Sequence, residues 1–480
     1  MNFSTPLALL FTASSVLAQP YDLAAIRDAS TLETKVLRDW HPAARDQTVR
    51  SKLVEITVCE WWPGQKVRLP VTFNIPAGAV CSNIVVMNMG LANNPAFPRP
   101  DELKLLKDHG VGIVMVGMGT IDAMQPKGTL HLGMKARLLK TRDPRYTPAW
   151  IWGMSDMRGL TAALAEHDHF RPGKVIATGG SKRGVGAAAA GIHDSRFTAI
   201  MPVVAPPLGN PGGPVVMGTR PRHLRDADQR FYTELAAGRL GLDPKVRVAL
   251  DERDGRRAGQ RVTLAEAKDA GWTPQQITKM TPLSWNVSRI TDYLPALHRR
   301  GLEYFYCVGA NDSVSPALRE LGRQLPKFPL YIVPGGQHGG PATAGFTRRT
   351  PLLSEVRENF ITFARHHFFG ARRLPPAPRL THKWDPDKMT LTVSAKLPPE
   401  LRTTTNTLWW SVDRSEPFTL FFEYDRWESG PMSTDKAGLF TATIKLDGKP
   451  ERLDILTVHT TVENNLPFTV SSPYLRVLER

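Results

Sequence analysis

The chain has 480 residues, 41% of them hydrophobic, with 40 prolines and a formal charge of +16. That length exceeds what one hydrophobic core ordinarily covers, and the proline content argues against an all-helical bundle, so two folded units are expected. No apolar run is long enough for a membrane-spanning helix. A basic body suits anionic partners such as acidic glycans, anionic lipid headgroups or nucleic acid. No nucleic-acid motif or basic-aromatic interleaving accompanies it, so a solvated charged surface is expected and nucleic acid is not expected as a partner.

Residues 1–18, MNFSTPLALLFTASSVLA, have a short apolar centre and end in Val16-Leu17-Ala18. This pattern predicts a signal peptide cleaved before Gln19 and a secreted or periplasmic protein, although only the terminal amine supplies positive charge ahead of the apolar core. KLVEITVCEWW and VRLPVTFNIP then alternate apolar and polar residues around Pro63-Gly64-Gln65, predicting an antiparallel hairpin with Trp61 and Trp62 at its rim. NIVVMNMG (83–90) and GVGIVMVGMG (110–119) read as buried strands, with a helix over 99–109 stopping at Gly110. A helix is expected over 155–167, where Ser155 or Asp156 would cap it.

KVIATGG, SKRGVGAAAAG and FTAIMPVVAP give the next strand, helix and strand. Strands follow over 302–312 and 328–340 around a helix, and a helix ending at Gly370 closes this part. A hairpin followed by strand–helix units predicts an α/β fold, a mostly parallel sheet with an N-terminal antiparallel hairpin. Residues 208–290, rich in Arg, Gly and Pro, interrupt the rhythm as a cap-like insertion in the 19–370 domain. Residues 371–380 read as a linker, and the short alternating segments of 381–480 as a C-terminal β-sandwich domain; over 371–480 acidic and basic side chains nearly cancel.

Three cysteines are too few for a disulfide scaffold and their spacing suits no structural zinc site. An exported chain would permit a Cys59–Cys81 bridge, and Cys307 reads as a core thiol. His167-Asp168-His169 and His366-His367 each lack a third ligand nearby, so neither a metal nor any other cofactor is expected.

A hydroxyl needs a base, normally an imidazole oriented by a carboxylate, before it attacks a carbonyl. In a parallel-sheet hydrolase these groups arrive in the order Ser, Asp or Glu, His, from turns at strand ends. Ser181, Asp312 and His338 fit that order, each just past a predicted buried strand. Gly179 and Gly180 allow a sharp strand-to-helix turn. The backbone N–H of Lys182 would face the oxyanion, with a second donor from Gly90 or Leu91. Taken singly, these residues have ordinary readings: a helix N-cap at Ser181, a turn former at Asp312, a loop residue at His338. Ser155 in GMSDMRG also follows a glycine but ranks below Ser181. Asn286-Val287-Ser288 and Asn311-Asp312-Ser313 are formal glycosylation sequons.

With these residues in place, the first 370 residues resemble the α/β-hydrolase superfamily. The phrase GGSKRG, the following DSRFTAIMPVV and the later PGGQHGG resemble the PhoPQ-activated pathogenicity-related protein family. Here Arg183 takes the last position of the usual Gly-x-Ser-x-Gly elbow, with Gly184 one step late, and Val185 stands where that family has tryptophan. The resulting expectation is an exported serine hydrolase acting on a small-molecule or peptide substrate, an ester more than an amide. Its basic body, with Arg220, Arg222 and Arg225 in the insertion, would favour an anionic substrate. The competing expectation is an inactive hydrolase scaffold serving as a secreted binding or signalling module, motivated by the bulk of Arg183 in the elbow.

Overall fold

Strands long enough to be buried on both faces organise the N-terminal three-quarters of the chain. The structure, a computed structural model, describes residues 20–88, 97–118, 129–208, 216–217, 222–240, 262–277, 286–312, 317–338, 354–415, 425–435 and 438–479. Its central sheet contains β1 (Lys35–Ala43), β2 (Asp46–Trp62), β3 (Gln65–Pro76), β4 (Ile84–Asn88), β5 (Gly112–Val116), β6 (Val175–Gly180) and β7 (Ala199–Val203). Two short strands, β8 (Val216–Met217) and β9 (Val262–Thr263), pair apart from it, and β10 (Glu303–Tyr304), β11 (Tyr306–Gly309) and β12 (Leu330–Val333) rejoin it. The order across the sheet is β1-β2-β3-β5-β4-β6-β7-β11-β12. Pairing is antiparallel from β1 to β5 and parallel from β5 to β12. This is the α/β architecture expected from the sequence, with the hairpin at one edge.

The helices are α1 (Leu23–Arg27), α2 (Pro100–His109), α3 (Thr129–Thr141), α4 (Pro148–Ala165), α5 (Lys182–His193), α6 (Arg222–Ala236), α7 (Leu264–Asp269), α8 (Leu294–Arg300), α9 (Leu318–Gln324) and α10 (Ser354–Phe369). Helix α2 stops where expected, at Gly110 with φ +66°. Helix α4 starts seven residues earlier than the sequence reading placed it, with Pro148 in its first turn. Ser155 and Asp156 therefore lie inside the helix and cap nothing. Ser155 Oγ instead donates to the Ile151 carbonyl at 2.7 Å, one turn back. Every residue from Ala149 to Ala163 is buried, so this helix has no polar face to mark its ends by periodicity. No helix among the described residues is long and apolar enough to cross a membrane.

Trp61 and Trp62 end β2 beside the hairpin turn and are only 7% and 8% exposed. Arg137 of α3 covers the Trp62 ring, its guanidinium carbon 4.3 Å from the centroid, and Trp61 Nε1 donates to the Arg145 carbonyl at 2.8 Å. No Cys59–Cys81 bridge exists; all three cysteines are free thiols. Cys59 lies on β2 and Cys81 precedes β4, with β3 and β5 between. Three inter-strand steps come to roughly 14 Å, about twice the Cα separation a disulfide spans. Burial raises both thiols to about 12.

The described parts of the insertion bring Val262, Ala267, Trp272 and Ile277 together around Leu138 of α3. Trp272 Nε1 donates to the Leu139 carbonyl at 2.8 Å, and Lys135 pairs with Glu266 at 2.6 Å.

Beyond α10 the chain forms two antiparallel sheets. One contains β13 (Arg379–Asp385), β14 (Thr390–Lys396), β17 (Ser433–Thr434) and β18 (Leu439–Lys445). The other contains β15 (Thr403–Val412), β16 (Glu428–Pro431), β19 (Arg452–Glu463), β20 (Leu466–Ser471) and β21 (Leu475–Glu479). Leu391, Val393, Leu408, Phe440, Leu453 and Ile455 fill the space between them. Leu456, Val458, Phe468, Val470 and Tyr474 belong instead to the core of the central sheet. Strand β19 is thus buried on both faces, Leu453 and Ile455 toward one core, Leu456 and Val458 toward the other. Phe305 and Phe468 touch across this junction with centroids 4.6 Å apart, and Ser471 Oγ accepts from the Ile332 amide at 2.9 Å.

Candidate active site

The parallel strands β6, β11 and β12 all point their carboxyl ends to one edge of the sheet, where side chains in the following turns share a crevice. Ser181 is the single residue between β6 and α5, with φ 61° and ψ −131°. L-residues avoid this region, at a cost of about 1–3 kcal/mol that surrounding structure must impose. Two backbone hydrogen bonds do so: the Ser181 amide donates to the Val203 carbonyl at 2.9 Å, and its carbonyl accepts from Val185 at 3.0 Å.

Tight approach explains the glycines around it. A Cβ on Gly179 would lie 2.9 Å from Arg183, and one on Gly184 would lie 2.8 Å from the carbonyls of Gly179 and Val203. The turn therefore makes room for Arg183 by omitting a side chain at Gly179, and the elbow keeps its sharpness despite the bulk of that arginine.

Asp312 follows β11, and His338 follows the Gly335-Gly336 turn after β12. Ser181 Oγ stands 2.5 Å from His338 Nε2, and His338 Nδ1 stands 3.0 Å and 3.1 Å from the two carboxylate oxygens of Asp312. Asp312 is wholly buried, whereas the imidazole retains 31% side-chain exposure. The three side chains, spread over more than 150 positions, thus form one hydrogen-bonded series from solvent-facing hydroxyl to buried carboxylate. Backbone contacts fix the two turns together. Ala310 donates to the Val333 carbonyl at 2.9 Å and Asn311 to the Gly336 carbonyl at 2.8 Å.

Lys182 opens α5 directly after Ser181. Gly90 and Leu91 lie outside the described residues, as does Arg220; Arg222 and Arg225 are placed only as backbone of α6. Ser155, fully buried with its hydroxyl committed to a carbonyl, is not part of this site. His169 packs on Trp40, and His366 and His367 both face Glu303 at 3.5 Å and 2.8 Å. The Asn311 sequon is closed to glycosylation in the folded chain, because the Asn311 side chain is buried and donates to the Asp425 carbonyl at 2.7 Å.

Two features of the surroundings escaped the sequence reading. Arg414, Asp425 and Trp427, which lie between β15 and β16, gather around Asn311, the residue before Asp312. Beside the elbow, at the end of β4, Asn88 Nδ2 donates to Asp156, both groups fully enclosed. Asn88 Oδ1 and Asp156 Oδ2 have no partner. Burial pushes Asp156 well above the usual carboxylate range, the Asn88 hydrogen bond opposing it. A neutral Asp156 turns one of those two orphaned atoms into a donor and leaves the other an acceptor.

Because Asp156 is raised on folding, its unfavourable contribution is nil below the unfolded value near 4 and grows as pH climbs toward the folded value. Asp156→Asn removes that penalty, about 1.4 kcal/mol for each unit by which the folded value is raised. Calorimetric scans from pH 4 to pH 9 should show the variant's Tm matching wild type at the acid end and exceeding it increasingly above. A pH-independent Tm difference would rule out a neutral buried acid.

No protein-family profile matches the chain, and no curated protein matches it either. Solved structures do. A glucuronoyl esterase from Solibacter usitatus is 15% identical, with a TM-score of 0.40 over 72% of this chain and 91% of that one. An acetyl xylan esterase from Paenibacillus sp. R4 is also 15% identical, with a TM-score of 0.38 over 66% and 87%. Acetyl xylan esterase 1 from Thermoanaerobacterium sp. JW/SL YS485 is 12% identical, with a TM-score of 0.35 over 68% and 90%.

Proposed function

We propose that the protein is a serine hydrolase that cleaves an ester, preferring esters to amides, and acts outside the cytoplasm. The observation carrying this reading is the contact series from Ser181 Oγ through His338 to Asp312. His338 takes the Ser181 proton as the oxygen attacks the substrate carbonyl. Asp312 holds the imidazole in the tautomer with hydrogen on Nδ1 and stabilises its charged form. The Lys182 amide faces the oxyanion of the tetrahedral intermediate. His338 then returns the proton to the departing alcohol, and water releases the acyl group by the same steps in reverse.

Esters are favoured because an alcohol leaves more readily than an amine, and among the described residues of this site nothing reads the residues on either side of a peptide bond. The net charge of +16 and the cations Lys182 and Arg183 beside the nucleophile favour a substrate carrying a carboxylate. The motif context of residues 1–18 supports export.

Matched chromogenic substrates test this: a neutral acyl ester, the same ester with a carboxylate on the acyl or alcohol part, and the corresponding anilide. The ester should be cleaved at least about 10²-fold faster than the anilide. The carboxylate ester should show the lower KM, with the advantage shrinking as salt is raised. Equal or faster anilide cleavage would overturn the ester assignment, and a salt-independent KM the anionic one.

A further inference from the structure

Asn311 is pinned through its amide N–H and both polar atoms of its side chain. Its amide N–H donates to the Gly336 carbonyl at 2.8 Å, tying it to the turn that presents His338. Its side-chain Nδ2 donates to the Asp425 carbonyl at 2.7 Å. Its Oδ1 accepts from Arg414 Nη2 at 2.7 Å and from Trp427 Nε1 at 2.9 Å. Three of these four bonds involve residues between β15 and β16 of the C-terminal sheets, more than 100 positions further along the chain.

Arg414 is itself 1% exposed, so its charge is fully withdrawn from water. It reaches the Ala310 carbonyl at 2.5 Å, Tyr474 Oη at 2.6 Å and Asp425 Oδ2 at 3.2 Å, between the rings of Trp427 and Tyr474. Trp427 also lies against Gly335, where a Cβ would stand 3.8 Å from its ring. One buried cluster therefore grips both the turn carrying Asp312 and the turn carrying His338. A buried arginine with this many bonds is costly to desolvate and gains only modest stability over an apolar core. Its geometry does supply precision, because a planar fork with several donors fixes what it holds in both position and orientation.

We infer that Arg414, Trp427 and Asp425 are positioning residues for the hydrolytic site, and that the C-terminal sheets form part of the catalytic unit by locking the Asp312 and His338 turns. The inference rests on the serine hydrolase reading for its consequence in rate, though the locking itself is read independently of turnover. Without the clamp, Asn311 loses three side-chain bonds and Asp312 is free to move relative to the imidazole. The rate then falls through misorientation, substrate binding is spared, and His338 loses part of the carboxylate stabilisation of its charged form.

The test compares Trp427→Phe, which keeps an aromatic side chain, smaller than indole and without its N–H, and Arg414→Lys with Asn359→Ala. Asn359 bonds Thr469 through both side-chain atoms, at 2.8 Å and 2.7 Å, across the same junction but away from Asn311. Trp427→Phe and Arg414→Lys should lower kcat on an activated ester by about 10-fold to 10²-fold with KM within about twofold. They should also move the acid limb of the kcat/KM profile to lower pH. Asn359→Ala should lower Tm while leaving kcat and the pH profile in place. If the two clamp variants merely lose Tm, as Asn359→Ala does, the positioning role is refuted.

A second readout separates this from failure of the hydrolase reading. The downfield proton resonance of His338 Nδ1–H, observed without substrate, should be present in wild type and Asn359→Ala, and shifted or lost in both clamp variants. An unchanged resonance in the clamp variants refutes the clamp even in a protein that hydrolyses nothing. Inert wild type with a clamp-dependent resonance supports the clamp and refutes only the hydrolase reading.

Discussion

Ser181→Ala should lower ester hydrolysis by at least about 10³-fold without unfolding the protein. Alanine at this position meets the same φ of 61° as serine, so the strain of the elbow is retained and Tm should move little. His338→Ala should cost about as much, and the double variant little more than either, because the hydroxyl and imidazole act as one unit. Single-turnover rates on an activated ester decide this. Additive losses would mean that the two side chains work separately, and Ser181→Ala retaining a tenth of wild-type activity would remove the nucleophile from the account.

Gly309→Ala should be nearly as damaging, although this residue touches no substrate. A Cβ there would stand 2.3 Å from the Gly336 carbonyl oxygen and 2.7 Å from its carbon. Both are backbone atoms, so no rotamer change relieves the clash, and the His338 turn must shift by about an ångström. A displacement of that size at a reacting group costs about 10²-fold in rate. Gly448→Ala is the control, since nothing lies within 4 Å of the added carbon. Steady-state kcat together with Tm should show Gly309→Ala losing both and Gly448→Ala losing neither. A Gly309→Ala protein with wild-type kcat would show that the two turns need not meet so closely.

The three candidate site residues are legible in the sequence because parallel strands buried on both faces read as unbroken apolar runs, and each run here ends in a turn with glycine, serine or Asn-Asp. Position after a strand end places a side chain at the sheet edge, and that alone groups Ser181, Asp312 and His338. Contacts without a local signature could not be grouped that way. Nothing in Arg414 or Trp427 marks a partner 100 positions earlier, since a buried arginine is indistinguishable in sequence from a solvated one.

The same limit explains the other misreadings. The burial of Trp61 and Trp62 has no local signature either, since Arg137 of α3 lies over Trp62 and Trp61 bonds the Arg145 carbonyl. Helix α4 is buried all round and so lacked the periodicity that would have shown its first turns. One clue was present and unused. LDILTV in β19 carries apolar residues on both faces, the pattern of a strand between two cores, and that marks the C-terminal sheet as packed on its neighbour.

The central claim is that Ser181 is a hydroxyl made nucleophilic by His338. The measurement closest to it is stoichiometric labelling of folded protein with a fluorophosphonate, followed by peptide mass spectrometry. The account predicts one adduct per chain, on Ser181, forming rapidly in wild type and at least about 10²-fold more slowly in His338→Ala. Labelling spread over other serines, or on Ser181 at the same rate without the imidazole, would contradict it.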